Sequence, residues 1–419
     1  MNSPTVPKSL TKVRFLCILS ASLILSWRNS YFSNKLIIDE LSTAMSSRRF
    51  GFRDLLDNPE GFVMVGQRSL LVLISPGDLS GLAHRISLAT ILIWTVVIFG
   101  IFSIAYQKTK SRWLAYAIAM IPVISANEVT VRWFLTTPFV ISLFIFLALL
   151  FETNFSRKSV NVVAMFGSFA CAVSNPAVII PCSIALAFAL LKQLKITKTG
   201  LMLITGSLAG VIVQFILRIN YGTDRQIQTP NLKQTLIAIR WALYSLLPPP
   251  LRDAAVTKSA SFINDSLLIF VISILGIATI VILRNINDRK ISRLCRNLVF
   301  CAILSFIVEN FLSSELLYHY LFIPTSLFWI GILIGLRHQK SYPFRMISNI
   351  IVFTIFFTTT ILSIMPTKEK YFSLYDLYYL NRPTFENEIR SLETRCETDV
   401  NASWDTLNEK GDLIKCSDL

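Results

Sequence analysis

Long apolar runs recur along this chain, and short polar loops separate them. A helix that crosses a ~30 Å hydrocarbon layer needs ~20 predominantly apolar residues, and most of the runs approach that length. Hydrophobic residues make up 53% of the chain and charged residues only 16%. In soluble domains, roughly a quarter of all residues are charged. The sequence therefore predicts an all-α polytopic membrane protein, folded as one helical bundle rather than as two or three soluble domains.

We predict about eleven transmembrane helices from these runs. They cover residues 14–33, 84–106, 113–126, 132–151, 159–175, 177–191, 200–219, 266–284, 297–313, 317–336 and 346–365. The bundle then occupies residues 1–365, and the polar residues 366–419 form a C-terminal tail.

Every second loop between these helices is basic. The basic positions are Lys8, Lys12, Arg14, Lys108, Lys110, Arg112, Arg157, Lys158, Lys192, Lys195, Lys198, Arg284, Arg289, Lys290, Arg293, Arg296, Arg337, Lys340 and Arg345, against two acids, Glu152 and Asp288. Cytoplasmic loops of membrane proteins collect Lys and Arg. We therefore expect a multi-pass plasma-membrane protein with a cytoplasmic N-terminus and an extracytoplasmic C-terminus. The net charge of +15 then reflects topology rather than nucleic-acid binding.

Two of the predicted outer loops are long, residues 34–83 and 220–265. In the first, Asn58-Pro59-Glu60 is a helix-start pattern before an apolar stretch that ends at residue 74 and is too short to span. In the second, the run "TLIAIRWALYSLLPPP" carries an apolar stripe at helical spacing and ends in three prolines. Both patterns predict helices that lie in the membrane interface.

The tail contains Cys396 and Cys416, the two cysteines that the topology places outside the membrane and the cytoplasmic face. Extracytoplasmic compartments permit disulfides, and we predict a Cys396–Cys416 bridge, with two free thiols as the alternative. The other five cysteines have no metal-ligand spacing and are expected to pack as apolar residues.

Outer-facing carboxylates are the most informative candidates for chemistry, because an acid near a membrane surface is costly unless it is paired or functional. Asp39 and Glu40 follow the first helix, and Arg48 and Arg49 come about two and a half helical turns later. An acid accepts a proton from a hydroxyl nucleophile, and arginine holds phosphate oxygens bidentately. The alternative is structural: Asp39 caps a helix, and the arginines extend toward lipid headgroups.

Three further sets lie in the predicted outer loops. Glu128 and Arg132, four residues apart, either form an ion pair at the start of a helix or line a cavity with Asp39. His319 and Tyr320 either belong to the aromatic belt or contact a phosphate or sugar. Arg85 is expected to contact lipid headgroups.

Several motifs are absent: a Walker A loop, G-x-G-x-x-G, H-E-x-x-H and G-x-S-x-G. Nucleotide hydrolysis, dinucleotide binding, zinc proteolysis and α/β-hydrolase chemistry therefore have no support. Any chemistry belongs on the outer side, where a water-soluble nucleotide sugar is an unsuitable donor because it would have to cross the membrane.

The order of these features in residues 14–195 resembles the GT-C class of polytopic glycosyltransferases, which take sugars from polyprenyl-phosphate carriers. The resembling features are the acidic pair after the first helix, Arg85 before the second, a short basic turn, and "VRWFLTTPFVISLFIFLALL" at the fourth helix. The tail segment "RCETDVNASWDTLNEKGDLIKCSDL" is similar to the ends of actinobacterial membrane proteins. The chain lacks the large outer globular domain that many GT-C members carry.

The resemblance implies a GT-C-like bundle and an inverting transferase. By this resemblance, Asp39 would activate the acceptor hydroxyl, and Glu128 would match the acid often found in the second outer loop. Our leading hypothesis is transfer of a sugar from a polyprenyl-phosphate donor to an envelope glycan, lipid or protein, with Asp39 as general base and Glu40 as its partner or the ligand of a divalent metal. Arg48, Arg49 and Arg132 would neutralise the lipid phosphate. The rival hypotheses are a flippase or transporter of lipid-linked glycans and a glycan polymerase or ligase.

Overall fold

A computed structural model describes residues 8–30, 44–45, 48–49, 51, 65–126, 137–174, 178–221, 265–312, 322–364, 385–405 and 413–416. This part of the chain is almost entirely helical. The helices are α1 (Lys8–Ser30), α2 (Val65–Ile74), α3 (Leu82–Thr109), α4 (Arg112–Ser125), α5 (Thr137–Leu150), α6 (Lys158–Ser174), α7 (Ile179–Leu190), α8 (Lys198–Tyr221), α9 (Asp265–Arg284), α10 (Arg289–Leu312), α11 (Phe322–Arg337), α12 (Tyr342–Ile364) and α13 (Phe385–Thr398). Two short strands, β1 (Ser403–Asp405) and β2 (Leu413–Lys415), pair antiparallel.

Each of the eleven predicted apolar segments overlaps one of these helices. Two of the described helices are long and apolar enough to cross a membrane: α3, and α8 over Lys198–Leu217. Six shorter apolar helices of 10–17 residues accompany them. The described helices thus establish a mainly helical protein with two candidate spans.

Helices α4, α5 and α11 form the centre of the bundle, with nearly all of their side chains buried. Their sequences are apolar on every face, as expected for helices surrounded by other helices. Trp94 of α3 packs edge-on against Phe322 of α11, with ring centroids 5.5 Å apart. Ser125 and Ser326 share a buried hydrogen bond of 3.2 Å between α4 and α11. These contacts join the N-terminal and C-terminal halves of the chain in one core.

Helices α6 and α8 pack closely through glycines. Gly206 and Gly210 of α8 are four residues apart, so they lie on the same face of the helix. A Cβ atom on Gly206 would stand 2.2 Å from the carbonyl oxygen of Met165, and one on Gly210 would stand 2.6 Å from that of Phe169. Only hydrogen fits at these positions, which is the small-residue packing typical of membrane helices.

Helix α10 begins at Arg289, eight residues before the predicted start at 297, so the prediction was wrong at this boundary. The side chain of Asp288 accepts hydrogen bonds from the backbone N–H groups of Lys290, at 2.7 Å, and Ile291, at 3.4 Å. This is an N-cap, and it satisfies donors that the first helical turn leaves without partners. Several residues of the predicted basic loop therefore belong to the first turns of the helix.

The basic loops are connected to one another at one end of the bundle, here called the basic end. The Lys108 ammonium lies 3.4 Å from the Glu152 carboxylate, which also accepts a 2.9 Å hydrogen bond from the backbone N–H of Lys195. The Gln339 side-chain amide donates to the Ile282 carbonyl at 2.6 Å, so the loop after α11 contacts the end of α9. Loops that the sequence predicts to share one side of the membrane thus contact each other.

The tail adds structure that an all-α prediction does not contain. Helix α13 is followed by the β1–β2 hairpin, and the sulfurs of Cys396 and Cys416 lie at bonding distance, as predicted. Ile389 and Leu392 of α13 are fully buried against Leu71 of α2 and Leu82 of α3. The tail therefore packs on the first long loop through a second hydrophobic core.

Candidate functional site

The predicted site residues divide between described and undescribed parts of the chain. Asp39, Glu40, Glu128, Arg132, His319 and Tyr320 lie outside the described residues, as does the predicted interfacial helix before Pro248. Arg48 and Arg49 are described, and they stand in the segment that joins α1 to α2.

Arg48 reaches the turn that follows α2. Its Nη1 group donates to the carbonyl oxygens of Gly77, at 2.6 Å, and Ser75, at 3.3 Å. Both residues follow Ile74, the last residue of α2, and the negative end of a helix dipole favours a cation there. The described bonds of Arg48 are thus to backbone carbonyls, which is neither the predicted phosphate contact nor the alternative contact with lipid headgroups. Arg49 is exposed.

Arg85 reaches the same turn from the first turn of α3. Its Nε donates to the Ile74 carbonyl at 2.8 Å, and its Nη2 donates to the carbonyls of Asp78, at 3.0 Å, and Ser75, at 3.3 Å. The sequence predicted a headgroup contact for Arg85, whereas these bonds are to backbone. The Ser75 carbonyl accepts from both Arg85 and Arg48, so two guanidinium groups meet at one turn.

Glycine and aspartate shape this turn. Gly77 has a φ of +102°, a conformation that other residues rarely adopt. The Asp78 carboxylate accepts hydrogen bonds from the Ser80 hydroxyl and, at 3.2 Å, from the Ser80 backbone N–H. These bonds, followed by the charge of Arg85, lower the pKa of Asp78 below its usual value. Asp78 therefore stays ionised near neutral pH, close to the positive charge of Arg85.

Helix α2 also buries polar side chains. Gln67 and Arg68 are 4% and 1% exposed, although an interfacial helix would be expected to keep them in water. The backbone N–H of Gly66 donates to the Ser174 hydroxyl of α6 at 2.8 Å, which holds the start of α2 against the bundle. A Cβ atom on Gly66 would lie 2.2 Å from that hydroxyl oxygen. Sequence reasoning did not select Arg68, since nothing in its spacing signals burial.

The segment before Arg48 joins the same structure. Ala44 and Met45 are buried in the second core with Leu71, Leu79 and Leu82. Asp39 and Glu40 stand five and four residues before Ala44 in the sequence. The described part of the first long loop is thus anchored at three points: by Ala44 and Met45, by Arg48, and by the tail.

In the described residues of this site, arginines outnumber acids. Over the described residues between 44 and 85, Arg48, Arg49, Arg68 and Arg85 are accompanied by a single acid, Asp78. Guanidinium groups suit phosphate oxygens in charge and geometry. Among the residues that the structure describes, no three His, Cys, Asp or Glu side chains come together in a way that could hold a metal ion.

Comparison of the chain with protein-family models, curated proteins and solved structures found no match.

Proposed function

We propose that this chain is a membrane glycosyltransferase that moves a sugar from a polyprenyl-phosphate donor to a cell-envelope acceptor on the outer face of the plasma membrane. The observation that carries the proposal is the meeting of Arg48 and Arg85 at one turn. This cationic turn belongs to the loop in which Asp39 and Glu40 stand. It adds a structural argument to the resemblance of residues 14–195 to the GT-C class.

Each group has a role in the proposed reaction. Asp39 accepts the proton of the acceptor hydroxyl as that oxygen attacks the anomeric carbon, and the polyprenyl phosphate leaves with the electrons of the broken bond. Negative charge grows on the phosphate in the transition state, where fixed cations lower its energy most. Both described bonds of Arg48 start from Nη1, and a guanidinium group has five N–H donors, so Arg48 can contact phosphate while it stays anchored.

The proposal includes eleven crossings of the membrane. The contacts among the basic loops support it, because alternating topology requires those loops to share one side. Helices α4, α5 and α7 have 14, 14 and 12 residues. At 1.5 Å per residue they are shorter than a ~30 Å bilayer core. Irregular backbone at membrane depth is tolerated where protein surrounds it, and the burial of α4 and α5 meets that condition.

An enzyme is favoured over an ion-coupled transporter by the composition of the long spans. Residues 86–107 of α3 and 199–217 of α8 contain no Asp, Glu, Lys, Arg or His, and Glu309 of α10 is the chief exception among the predicted spans. Transporters usually carry ionisable groups near the middle of the bilayer, where they bind coupling ions or substrate.

The test is transfer of radiolabelled sugar from polyprenyl-phosphate donors by the purified chain. The assay compares the transfer rates of wild type, Asp39→Asn and Glu40→Gln. The control is Glu393→Gln, which removes an exposed acid on α13. Loss of a general base costs on the order of 10²–10⁴-fold in rate, so Asp39→Asn should be nearly inactive while Glu393→Gln keeps its activity. Full activity of Asp39→Asn would refute its role, and a wild type that is inactive with every donor would contradict the proposed function.

A further inference from the structure

An open cleft of about 500 Å³ lies at the basic end, between the α3–α4 turn and the α11–α12 turn. Its polar lining consists of Thr109, Ser111, Arg337, His338, Tyr342, Arg345 and Asn349, and this set is called the basic cleft below. Arg337 donates to the side-chain oxygen of Asn349, which fixes its guanidinium group at the cleft wall. Arg345 is exposed.

No described carboxylate neutralises the charge of the basic cleft. No residue that lines it is acidic, and in the part of the chain that the structure describes neither Arg337 nor Arg345 lies within ion-pair distance of a carboxylate. Two helices also begin beside the cleft: α4 at Arg112, which follows the lining residue Ser111, and α12 at Tyr342. The N–H groups of a first helical turn and the helix dipole both favour an anion at such a position.

A second, apolar cavity of about 380 Å³ continues from the basic cleft. Both are lined by Ser111, Leu114, Arg337 and Asn349, so they form one continuous depression. This cavity, called the apolar groove below, is further lined by Trp113, Val352, Phe353 and Phe356. Phe353 is 65% exposed and Trp113 is 40% exposed, so the groove presents large apolar surfaces on the outside of the bundle.

We propose that the depression is a binding site for an anionic phospholipid, with the phosphate in the basic cleft and an acyl chain along the apolar groove. A soluble phosphate compound would contact only the basic cleft. A phospholipid would place its phosphate in the basic cleft and its acyl chain in the adjoining apolar groove. Basic pockets between membrane helices on the cytoplasmic side are a common mode of anionic-lipid recognition. The proposal rests on the membrane placement proposed above and is independent of the transferase chemistry.

The test measures lipid retained by the purified full chain, by native mass spectrometry in detergent with added phosphatidylglycerol, phosphatidylcholine or inorganic phosphate. Variants are Arg345→Gln, Arg337→Gln and Phe353→Ser. The matched control is Arg293→Gln, an exposed arginine of the basic end that does not line the cleft. Arg345 is exposed and, within the described residues, bonds no other side chain, so its variant should fold even if loss of the Arg337–Asn349 bond disturbs packing.

Wild type should retain phosphatidylglycerol in preference to phosphatidylcholine. Each cleft arginine variant should weaken phosphatidylglycerol binding about tenfold, the scale of one charged hydrogen bond, while Arg293→Gln leaves it unchanged. Phe353→Ser should weaken lipid binding without improving competition by inorganic phosphate. Equal retention of the two lipids, equal losses in the control, or displacement of the lipid by millimolar phosphate would each overturn the proposal.

Discussion

The close packing of α6 against α8 leads to a sharp prediction for Gly206→Ala. The added Cβ atom would stand 2.2 Å from the carbonyl oxygen of Met165 and 2.3 Å from the Ser168 hydroxyl. Carbon and oxygen normally approach to about 3.3 Å, so the two helices would have to separate by roughly 1 Å at this point. A radial gap of that size forfeits a quarter to a half of the dispersion energy of the atoms concerned.

We therefore expect Gly206→Ala to lower the free energy of unfolding by about 3 kcal/mol, the upper range for overpacking. The matched control is Gly167→Ala on α6, where a Cβ atom would meet nothing within 4 Å. Alanine favours a helix over glycine by up to ~1 kcal/mol, so the control should be neutral or slightly stabilising. The assay is unfolding in mixed micelles of a mild detergent and dodecyl sulfate, followed by far-UV circular dichroism. If Gly206→Ala is as stable as wild type, or if both variants are equally destabilised, the close contact is refuted.

Three further predictions concern the first loop and the tail. Arg85→Ala removes three hydrogen bonds from the turn after α2 and should cost about 2 kcal/mol of local stability, measured as faster amide exchange over residues 65–81. Opening the Cys396–Cys416 bridge by Cys416→Ser should destabilise the tail by about 3 kcal/mol, since it frees a loop with a sequence separation of 20, and trypsin should then cut the tail faster. Because the pKa of Asp78 is lowered in the fold, its contribution to stability is present above its unfolded pKa and is lost as pH falls through the folded value. The free energies of unfolding of wild type and Asp78→Asn should therefore differ near neutral pH and become equal in acid. The difference near neutral pH should be small, because the Asp78 carboxylate is exposed.

Helix positions were readable from the sequence because apolar runs are a strong local signal. Where the prediction was wrong, the start of α10, the cause was also local: Asp288 caps the helix, and Ile291, Leu294 and Cys295 continue its apolar face toward the loop. The spacing of Gly206 and Gly210 was an available signal for helix packing that the prediction did not use. The partner face on α6 is not visible in the sequence, since it depends on tertiary packing.

The candidate site was less predictable for a related reason. Its contacts join distant parts of the chain: Arg48 bonds to a carbonyl 29 residues away, and Gly66 to a hydroxyl 108 residues away. Spacing alone selected Arg48, but only the fold shows that it shares a turn with Arg85. The basic cleft was not predicted because the predicted topology already accounted for the many Lys and Arg residues in these loops.

Both proposals depend on one orientation, in which the tail faces outward and the basic end faces the cytoplasm. The most direct measurement is labelling of single introduced cysteines by a membrane-impermeant maleimide in intact cells, at Val400, which is 81% exposed in the tail, and at the exposed Arg293 of α10. The five free cysteines are buried, so background labelling should be low. We predict that Val400→Cys is labelled in intact cells and that Arg293→Cys is labelled only after the membrane is permeabilised. The reverse pattern, or labelling of both from outside, would contradict the orientation and the outer-face enzyme with it.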